Sequence, residues 1–229
     1  VSGWDAFAEV YDKGSADMTD DVAFYVDLAR EAEGPVVELA VGTGRVAIPI
    51  AERTGKRVIG IDSSPAMLAA ARESAASAGV EIELRAGDLR DLVLEEPTDL
   101  VICPYRNLLH VPDWHTRRRL FERVAAVLRP GGRFAWNVFV FDHKAAAEHD
   151  GEWRDDGPVR LRIDYVPADN RADITSAAGR FSAWWLTRSE WEGLVDVSGL
   201  EVEGLYGWFD RRPFDEDSRE LVWIARKPS

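Results

Sequence analysis

The stretch Val36-Val-Glu-Leu-Ala-Val-Gly-Thr-Gly-Arg45 is an apolar run that ends in a Gly-x-Gly turn. Residues 36–40 are predicted to form a buried first strand, and residues 45–54 a helix. Only glycine tolerates the tight turn between such elements and lets the backbone approach a ligand closely. The stretch therefore predicts a strand, a binding loop around Gly42 and Gly44, and a helix, in that order.

The same alternation of strands and helices extends in both directions along the chain. Ser64-Pro65 is typical of a helix start, Gly34-Pro35 and Pro130-Gly131-Gly132 are typical of helix ends, and the last predicted strand of this unit is apolar on both faces. We therefore expect an α/β fold with a doubly wound, mostly parallel sheet, completed to seven strands by a final pair at 200–208 and 219–226. Further strands are predicted at 57–61, 80–84, 99–103 and 134–141, and helices at 19–33, 65–79 and 113–129.

The pattern changes after strand five. Three segments with period-two alternation, 159–166, 171–177 and 181–186, predict an antiparallel β insertion over residues 142–186, which we expect on the substrate side. A capping box at Thr187 and Glu190 predicts a helix over 188–198. We expect a single domain over 1–229, with 1–34 as an N-terminal helical lid. Several tryptophans either line an aromatic pocket or pack the insertion onto the sheet, namely Trp153, Trp184, Trp185, Trp191 and Trp208.

Composition excludes several classes of function. The chain has 41 acidic and 28 basic residues, a formal charge of -13, which disfavours a nucleic-acid partner. No apolar run reaches the roughly 20 residues of a membrane span, and the start, Val1-Ser-Gly-Trp-Asp, lacks the features of a signal peptide, so we expect a cytoplasmic protein without membrane contact. One cysteine and four dispersed histidines predict no metal site. The oligomeric state stays open.

Two features indicate a cofactor that contains adenosine. Asp62 lies 20 residues beyond Gly42 at a strand tip, where a carboxylate can accept hydrogen bonds from both ribose hydroxyls. Gly42-x-Gly44-x-x-Ala47 also satisfies the dinucleotide fingerprint, so a nicotinamide cofactor and S-adenosylmethionine are both open on these features alone. Glu38, buried in the first strand, would repel a pyrophosphate but could pair with the amino group of a methionine moiety.

Two more elements follow in order, Gly87-Asp88-Leu89 and Leu128-Arg-Pro-Gly-Gly-Arg133. With these, the segment 36–141 resembles the class I S-adenosylmethionine-dependent methyltransferases of small-molecule type. The resemblance implies that Glu38 and the 40–45 loop hold the methionine portion, Asp62 the ribose and Asp88 the adenine, and that S-adenosylhomocysteine is the product. Ala40-Val41 departs mildly from the usual residues at that place. The implied cofactor contacts are Tyr11, Glu38, Ala40, Gly42, Gly44, Arg45, Asp62, Ser63, Met67, Gly87, Asp88, Leu89 and Cys103.

Methyl transfer from a sulfonium is an in-line displacement, so the protein must align the acceptor and remove its proton where it carries one. The base is expected in the loops after strands four and five, with His110 as the first candidate and Tyr105 as the second. His110 could instead orient its own loop. Two other functions stay open, an NAD-dependent oxidoreductase and a non-catalytic domain that binds S-adenosylmethionine.

Overall fold

The apolar segments pair into one central sheet and one smaller sheet, and the computed structural model describes residues 19–156, 159–177 and 179–229. The strands are β1 (Val36–Leu39), β2 (Val58–Asp62), β3 (Glu83–Ala86), β4 (Thr98–Cys103), β5 (Leu128–Phe139), β6 (Trp153–Asp156), β7 (Val159–Val166), β8 (Arg171–Ser176), β9 (Gly179–Trp184), β10 (Glu201–Tyr206) and β11 (Glu220–Arg226). The α-helices are α1 (Asp20–Glu31), α2 (Ala47–Thr54), α3 (Pro65–Ala78), α4 (Trp114–Val127), α5 (His143–His149) and α6 (Arg188–Val197).

The central sheet has seven strands in the order β10-β11-β5-β4-β1-β2-β3. Strands β1 to β5 are parallel to one another, whereas β11 is antiparallel to both β5 and β10. The predicted α/β fold with a mostly parallel seven-stranded sheet is therefore confirmed. The chain adds β2 and β3 on one side of β1 and β4 and β5 on the other, so the loops after β1 and β4 diverge at the carboxyl edge and leave a crevice there.

Each face of the sheet carries its own apolar core. Val36 points to a core shared with α1 and α2, and Val37 points to a core shared with α4 and α6. Glu38 is two residues from Val36, so it lies on the α1 and α2 face because side chains alternate along a strand. The second core is rich in aromatic rings, in which Trp136 stacks on Trp223 with ring centroids 5.7 Å apart.

The second sheet is antiparallel, in the order β6-β7-β8-β9. It falls inside the predicted insertion, and its apolar face packs against the core on the α4 side through Ile174 and Trp185. Trp185 stacks on Phe141, which follows β5, at a centroid distance of 3.7 Å. Trp185 and Trp191 therefore pack the structure together, whereas Trp153 is half-exposed on the edge strand.

Several predicted boundaries were wrong. Strand three was predicted at 80–84, but Val80 donates its N–H to Ala75 at the end of α3, so pairing starts only at Glu83. Strand five was predicted at 134–141, but pairing with β4 begins at Leu128, and the Pro-Gly-Gly segment then forms a bulge inside the strand. Helix α5 and strand β6 were not predicted. Residues 1–18, including Tyr11, lie outside the described residues.

Candidate active site

The loop after β1 is shaped by backbone conformations that favour glycine. Gly42 has a φ of 56° and Gly44 a φ of 87°, and Ala40 has a φ of 55° at the entry to the loop. A Cβ at Gly44 would lie 2.8 Å from Cδ1 of Ile48, so only glycine fits there without rearrangement. The loop delivers the chain directly into α2, whose first N–H groups point back toward it.

Asp62, the last residue of β2, connects this loop to the start of α3. Its carboxylate accepts hydrogen bonds from the Gly42 N–H at 2.9 Å and from the Ser64 N–H at 2.8 Å. Ser64 in turn caps α3 by accepting from the Met67 N–H, and Ser63 beside it is exposed. The carboxylate thus fixes the loop conformation while it stays half-buried at the edge of the crevice.

Glu38 lies beneath the loop and is 3% exposed. Burial raises the pKa of its carboxyl well above its usual range, while Arg45 and a hydrogen bond from the Ala47 N–H oppose that rise. Among the described residues, Oε2 of Glu38 has no hydrogen-bond partner. An acidic oxygen that is buried and unsatisfied is costly, so this position is suited to receive a cationic or N–H donor group.

Arg45 ties the loop to α1 and to the loop after β4. Its guanidinium donates to both carboxylate oxygens of the buried Asp21, at 2.8 and 2.5 Å. It also lies over the ring of Tyr105, with the guanidinium carbon 5.1 Å from the ring centroid. Tyr105, the second candidate base, is thereby brought next to the Gly42 and Gly44 loop.

The loop after β3 lies beside Asp62. The Gly87 N–H donates to the Asp62 backbone carbonyl at 3.0 Å, so the loop that carries Asp88 is held next to Asp62. Asp88 caps a short 3₁₀ turn over Leu89–Asp91 and accepts hydrogen bonds from the Arg90 backbone and guanidinium, which lower the pKa of its carboxyl. Leu89 is half-buried and packs against the core.

His110 ends a 3₁₀ turn over Asn107–His110 and contacts the insertion. Its Nδ1 lies 2.9 Å from the backbone carbonyl oxygen of Ser182 in the edge strand β9, and its ring meets the Phe181 ring edge to face at 5.5 Å. Burial lowers the pKa of His110, and the bond to Ser182 only partly offsets this. Cys103, at the end of β4, is fully buried in the core, and burial raises the pKa of its thiol.

Two polar residues at this edge of the sheet were missed by the sequence analysis. Asn137 was placed in a strand described as apolar on both faces and Glu220 in the last predicted strand, and neither was given a role in the site. Both side chains are 1% exposed and hydrogen-bonded to each other at 2.6 Å, beside the loop after β4. The available signal was the isolation of each polar residue within or next to an apolar run, as for Glu38.

Over the residues described here, no helix is long and apolar enough to cross a membrane, and no group of three or more His, Cys, Asp or Glu side chains could hold a metal ion. The carboxyl edge of the sheet carries the glycine loop, with Glu38 beneath it and Asp62 and the loop of Asp88 beside it. A glycine loop after β1, a carboxylate at the tip of β2 and the strand order β3-β2-β1-β4-β5-β11-β10 are together typical of a site for a cofactor that contains a nucleoside.

Comparison with known proteins points to one class of enzyme. Residues 36–132 match the model of the family described as "Methyltransferase domain". This match and the relatives below support a class I S-adenosylmethionine-dependent methyltransferase. They favour S-adenosylmethionine over the nicotinamide cofactor that the Gly-x-Gly loop alone left open.

Relatives resemble the chain over nearly its whole length. It is 24% identical to a cypemycin N-terminal methyltransferase from Streptomyces sp, over 96% of this chain and 95% of that protein. It is 29% identical to a 27-O-demethylrifamycin SV methyltransferase from Amycolatopsis mediterranei, over 98% and 88% respectively. A methyltransferase structure from Clostridium acetobutylicum shares the fold, with a TM-score of 0.83 at 17% identity over 97% of this chain and 98% of that one.

Proposed function

We propose that this enzyme transfers the methyl group of S-adenosylmethionine to a small-molecule acceptor, with the acceptor bound between the loop after β4 and the antiparallel insertion. The observation that carries the cofactor part of the proposal is Oε2 of Glu38, a buried acidic oxygen with no partner among the described residues. The cofactor carries an ammonium group and a sulfonium, and both favour a site that contains a buried carboxylate. The residues present therefore fit the cofactor.

The remaining contacts follow from the loop geometry. We propose that Glu38 and the 40–45 loop, through Ala40, Gly42, Gly44 and Arg45, hold the methionine portion, and that Asp62 accepts hydrogen bonds from the ribose. We assign the adenine to Asp88, with Gly87 and Leu89 beside it. Ser63 and Met67 would flank the adenosine, Cys103 would form the buried floor, and Tyr11 would cover the cofactor.

A small acceptor is supported by charge and by the relatives. The formal charge of -13 opposes a polyanionic substrate. One relative is named for a defined small compound, 27-O-demethylrifamycin SV, and the other for an N-terminus, so both oxygen and nitrogen acceptors occur among proteins of this length. Either acceptor must lose a proton when it starts as a hydroxyl or an ammonium.

His110 is the residue we propose as the base. A backbone carbonyl can only accept, so the 2.9 Å bond to Ser182 requires the proton on Nδ1. Burial lowers the pKa of His110, which favours the neutral ring, and in that form Nε2 carries the lone pair. When bound, S-adenosylmethionine supplies an activated methyl group, and the chain has only to orient the acceptor and remove its proton. Tyr105 would line the acceptor site from the cofactor side.

Two substitutions at His110 separate a base from a residue that only holds its loop. Asparagine can keep a donor to the Ser182 carbonyl but cannot take up a proton, whereas alanine loses both functions. The test measures methyl transfer from labelled S-adenosylmethionine to a panel of small amines and hydroxyl compounds. We expect both His110→Asn and His110→Ala to lower kcat about 10²- to 10⁴-fold with little change in cofactor affinity.

Near-normal kcat in His110→Asn together with a low kcat in His110→Ala would show that His110 only holds its loop and is not the base. Cofactor binding with no methyl transfer to any compound of the panel would contradict the small-molecule acceptor.

A further inference from the structure

Two consecutive residues after β4 adopt the left-handed backbone conformation. Tyr105 has a φ of 60° and Arg106 a φ of 64°, and neither is glycine. This conformation is unfavourable for residues other than glycine, so the surrounding structure must hold both residues in place. Backbone strain of this kind, at the carboxyl edge of the sheet, indicates a functional constraint.

Asn137 holds the first of the two residues. Its Oδ1 accepts hydrogen bonds from the Tyr105 N–H at 2.9 Å and from the Tyr25 hydroxyl at 3.0 Å. Its Nδ2 donates to Oε1 of Glu220 at 2.6 Å. The buried amide therefore makes three hydrogen bonds, and it joins α1, β5, β11 and the loop after β4.

Glu220 holds the second residue. It accepts from Nε of Arg106 at 3.1 Å and from Nη2 at 2.8 Å, while its side chain is 1% exposed. A carboxylate buried to this degree needs such partners to offset its desolvation. The pair therefore ties the Arg106 side chain, next to Tyr105 in the loop, to strand β11.

The loop held in this way faces the cofactor loop. The Tyr105 ring lies 5.1 Å from the guanidinium carbon of Arg45, which belongs to the loop that we assign to the methionine portion. We propose that Asn137 and Glu220 are positioning residues of the methyl-transfer site. They hold Tyr105 and Arg106 in their left-handed conformation and so fix the position of the loop after β4, which faces the cofactor loop. This inference rests on the proposed placement of the site.

The test compares Glu220→Ala, Glu220→Gln and a control, Asp99→Asn. Asp99 is also buried, at 8% exposure, and also pairs with an arginine, Arg129, but it lies at the amino end of the same sheet. Two quantities are measured on the full chain under native conditions. They are the rate of trypsin cleavage after Arg106, mapped by mass spectrometry, and the calorimetric affinity for S-adenosylhomocysteine.

We expect Glu220→Ala to raise cleavage after Arg106 by tenfold or more and to weaken S-adenosylhomocysteine binding about three- to tenfold. Glu220→Gln keeps an acceptor oxygen and the side-chain shape, so its effects should be smaller in the same direction and it guards against a failure of the alanine variant to fold. Asp99→Asn should leave both quantities at the wild-type value, even where its stability falls.

Cleavage after Arg106 that rises no more in the Glu220 variants than in Asp99→Asn would overturn the inference. So would unchanged S-adenosylhomocysteine affinity in both Glu220 variants. Absence of S-adenosylhomocysteine binding to the wild type would instead contradict the proposed function, and the cleavage pattern would still decide whether Glu220 holds the loop.

Discussion

Replacement of Glu38 by glutamine should stabilise the ligand-free protein and weaken cofactor binding at the same time. Glutamine has nearly the same shape, but it carries no charge to bury and its amide can replace the acid at lower desolvation cost. The carboxylate is 3% exposed, and one of its oxygens has no partner among the described residues. The stabilisation should therefore come from the removal of a buried charge that is only partly compensated by Arg45.

An unsatisfied buried polar group costs about 1–3 kcal/mol, and more when it is charged, so exchange of the acid for a neutral amide removes the part of this cost that is due to the charge. Since Arg45 offsets part of this cost, we expect a gain of about 1–2 kcal/mol at pH 8. For a chain of this size, each kcal/mol corresponds to about 2–4 °C in Tm. A lost hydrogen bond between charged groups, about 1.5–3 kcal/mol, corresponds to an affinity for S-adenosylhomocysteine that is about 10- to 100-fold lower.

The pH dependence has a definite sign. Burial raises the pKa of Glu38 in the folded state above its unfolded value, so the contribution of this group to stability is complete below the unfolded pKa and is lost as pH rises through the folded pKa. The glutamine variant has no such loss. The difference in Tm between variant and wild type should consequently widen from pH 5 to pH 8, as measured by scanning calorimetry.

Glu83→Gln is the control, on strand β3 of the same sheet. Hydrogen bonds from Arg57 and Arg85 lower the pKa of Glu83, so its contribution is present above the unfolded pKa and is lost as pH falls. This variant should therefore be no more stable than wild type at pH 8. A Glu38→Gln protein with wild-type Tm at both pH 5 and pH 8, and with wild-type S-adenosylhomocysteine affinity, would refute the reasoning.

Three further outcomes are expected. Gly44→Ala should lower the free energy of unfolding by at least about 1 kcal/mol in urea and weaken S-adenosylhomocysteine binding, because the position has a φ of 87° and its Cβ would lie 2.8 Å from Ile48; wild-type values for both would contradict this. Asp21→Asn removes the bidentate carboxylate partner of Arg45 and should cost about 3–5 kcal/mol; a loss below about 1 kcal/mol would show that the pair contributes little. Cys103 is fully buried with a raised pKa, so iodoacetamide at pH 8 should label it only in denaturant; rapid labelling of the native protein would be inconsistent with its place in the core.

Much of the site could be predicted from sequence because its residues depart from a local pattern. Glu38 interrupts an apolar strand, and Gly42 and Gly44 stand between a strand and a helix, so each is conspicuous within a few positions. Asp62 follows from the order of elements, because consecutive parallel strands place their carboxyl ends at one edge.

The network around Asn137 could not be predicted in the same way. Asn137 and Glu220 are 83 positions apart and meet only because β11 pairs with β5 in antiparallel register. The contact between His110 and Ser182 spans 72 positions and depends on the edge of the insertion sheet, which the sequence leaves unspecified. Helix α5 was also not predicted from the sequence, although Asp142 is a good N-cap and accepts hydrogen bonds from the Lys144 and Ala145 N–H groups.

The most direct test of the central claim is calorimetric titration of the purified protein with S-adenosylmethionine, S-adenosylhomocysteine and NAD, on wild type and on Asp62→Ala. We predict saturable binding of the first two ligands to wild type, no binding of NAD, and an affinity at least about tenfold lower in the variant, since Asp62 fixes the Gly42 loop and is the residue that we assign to the ribose. Binding of NAD alone, or equal affinity in wild type and Asp62→Ala, would contradict the account.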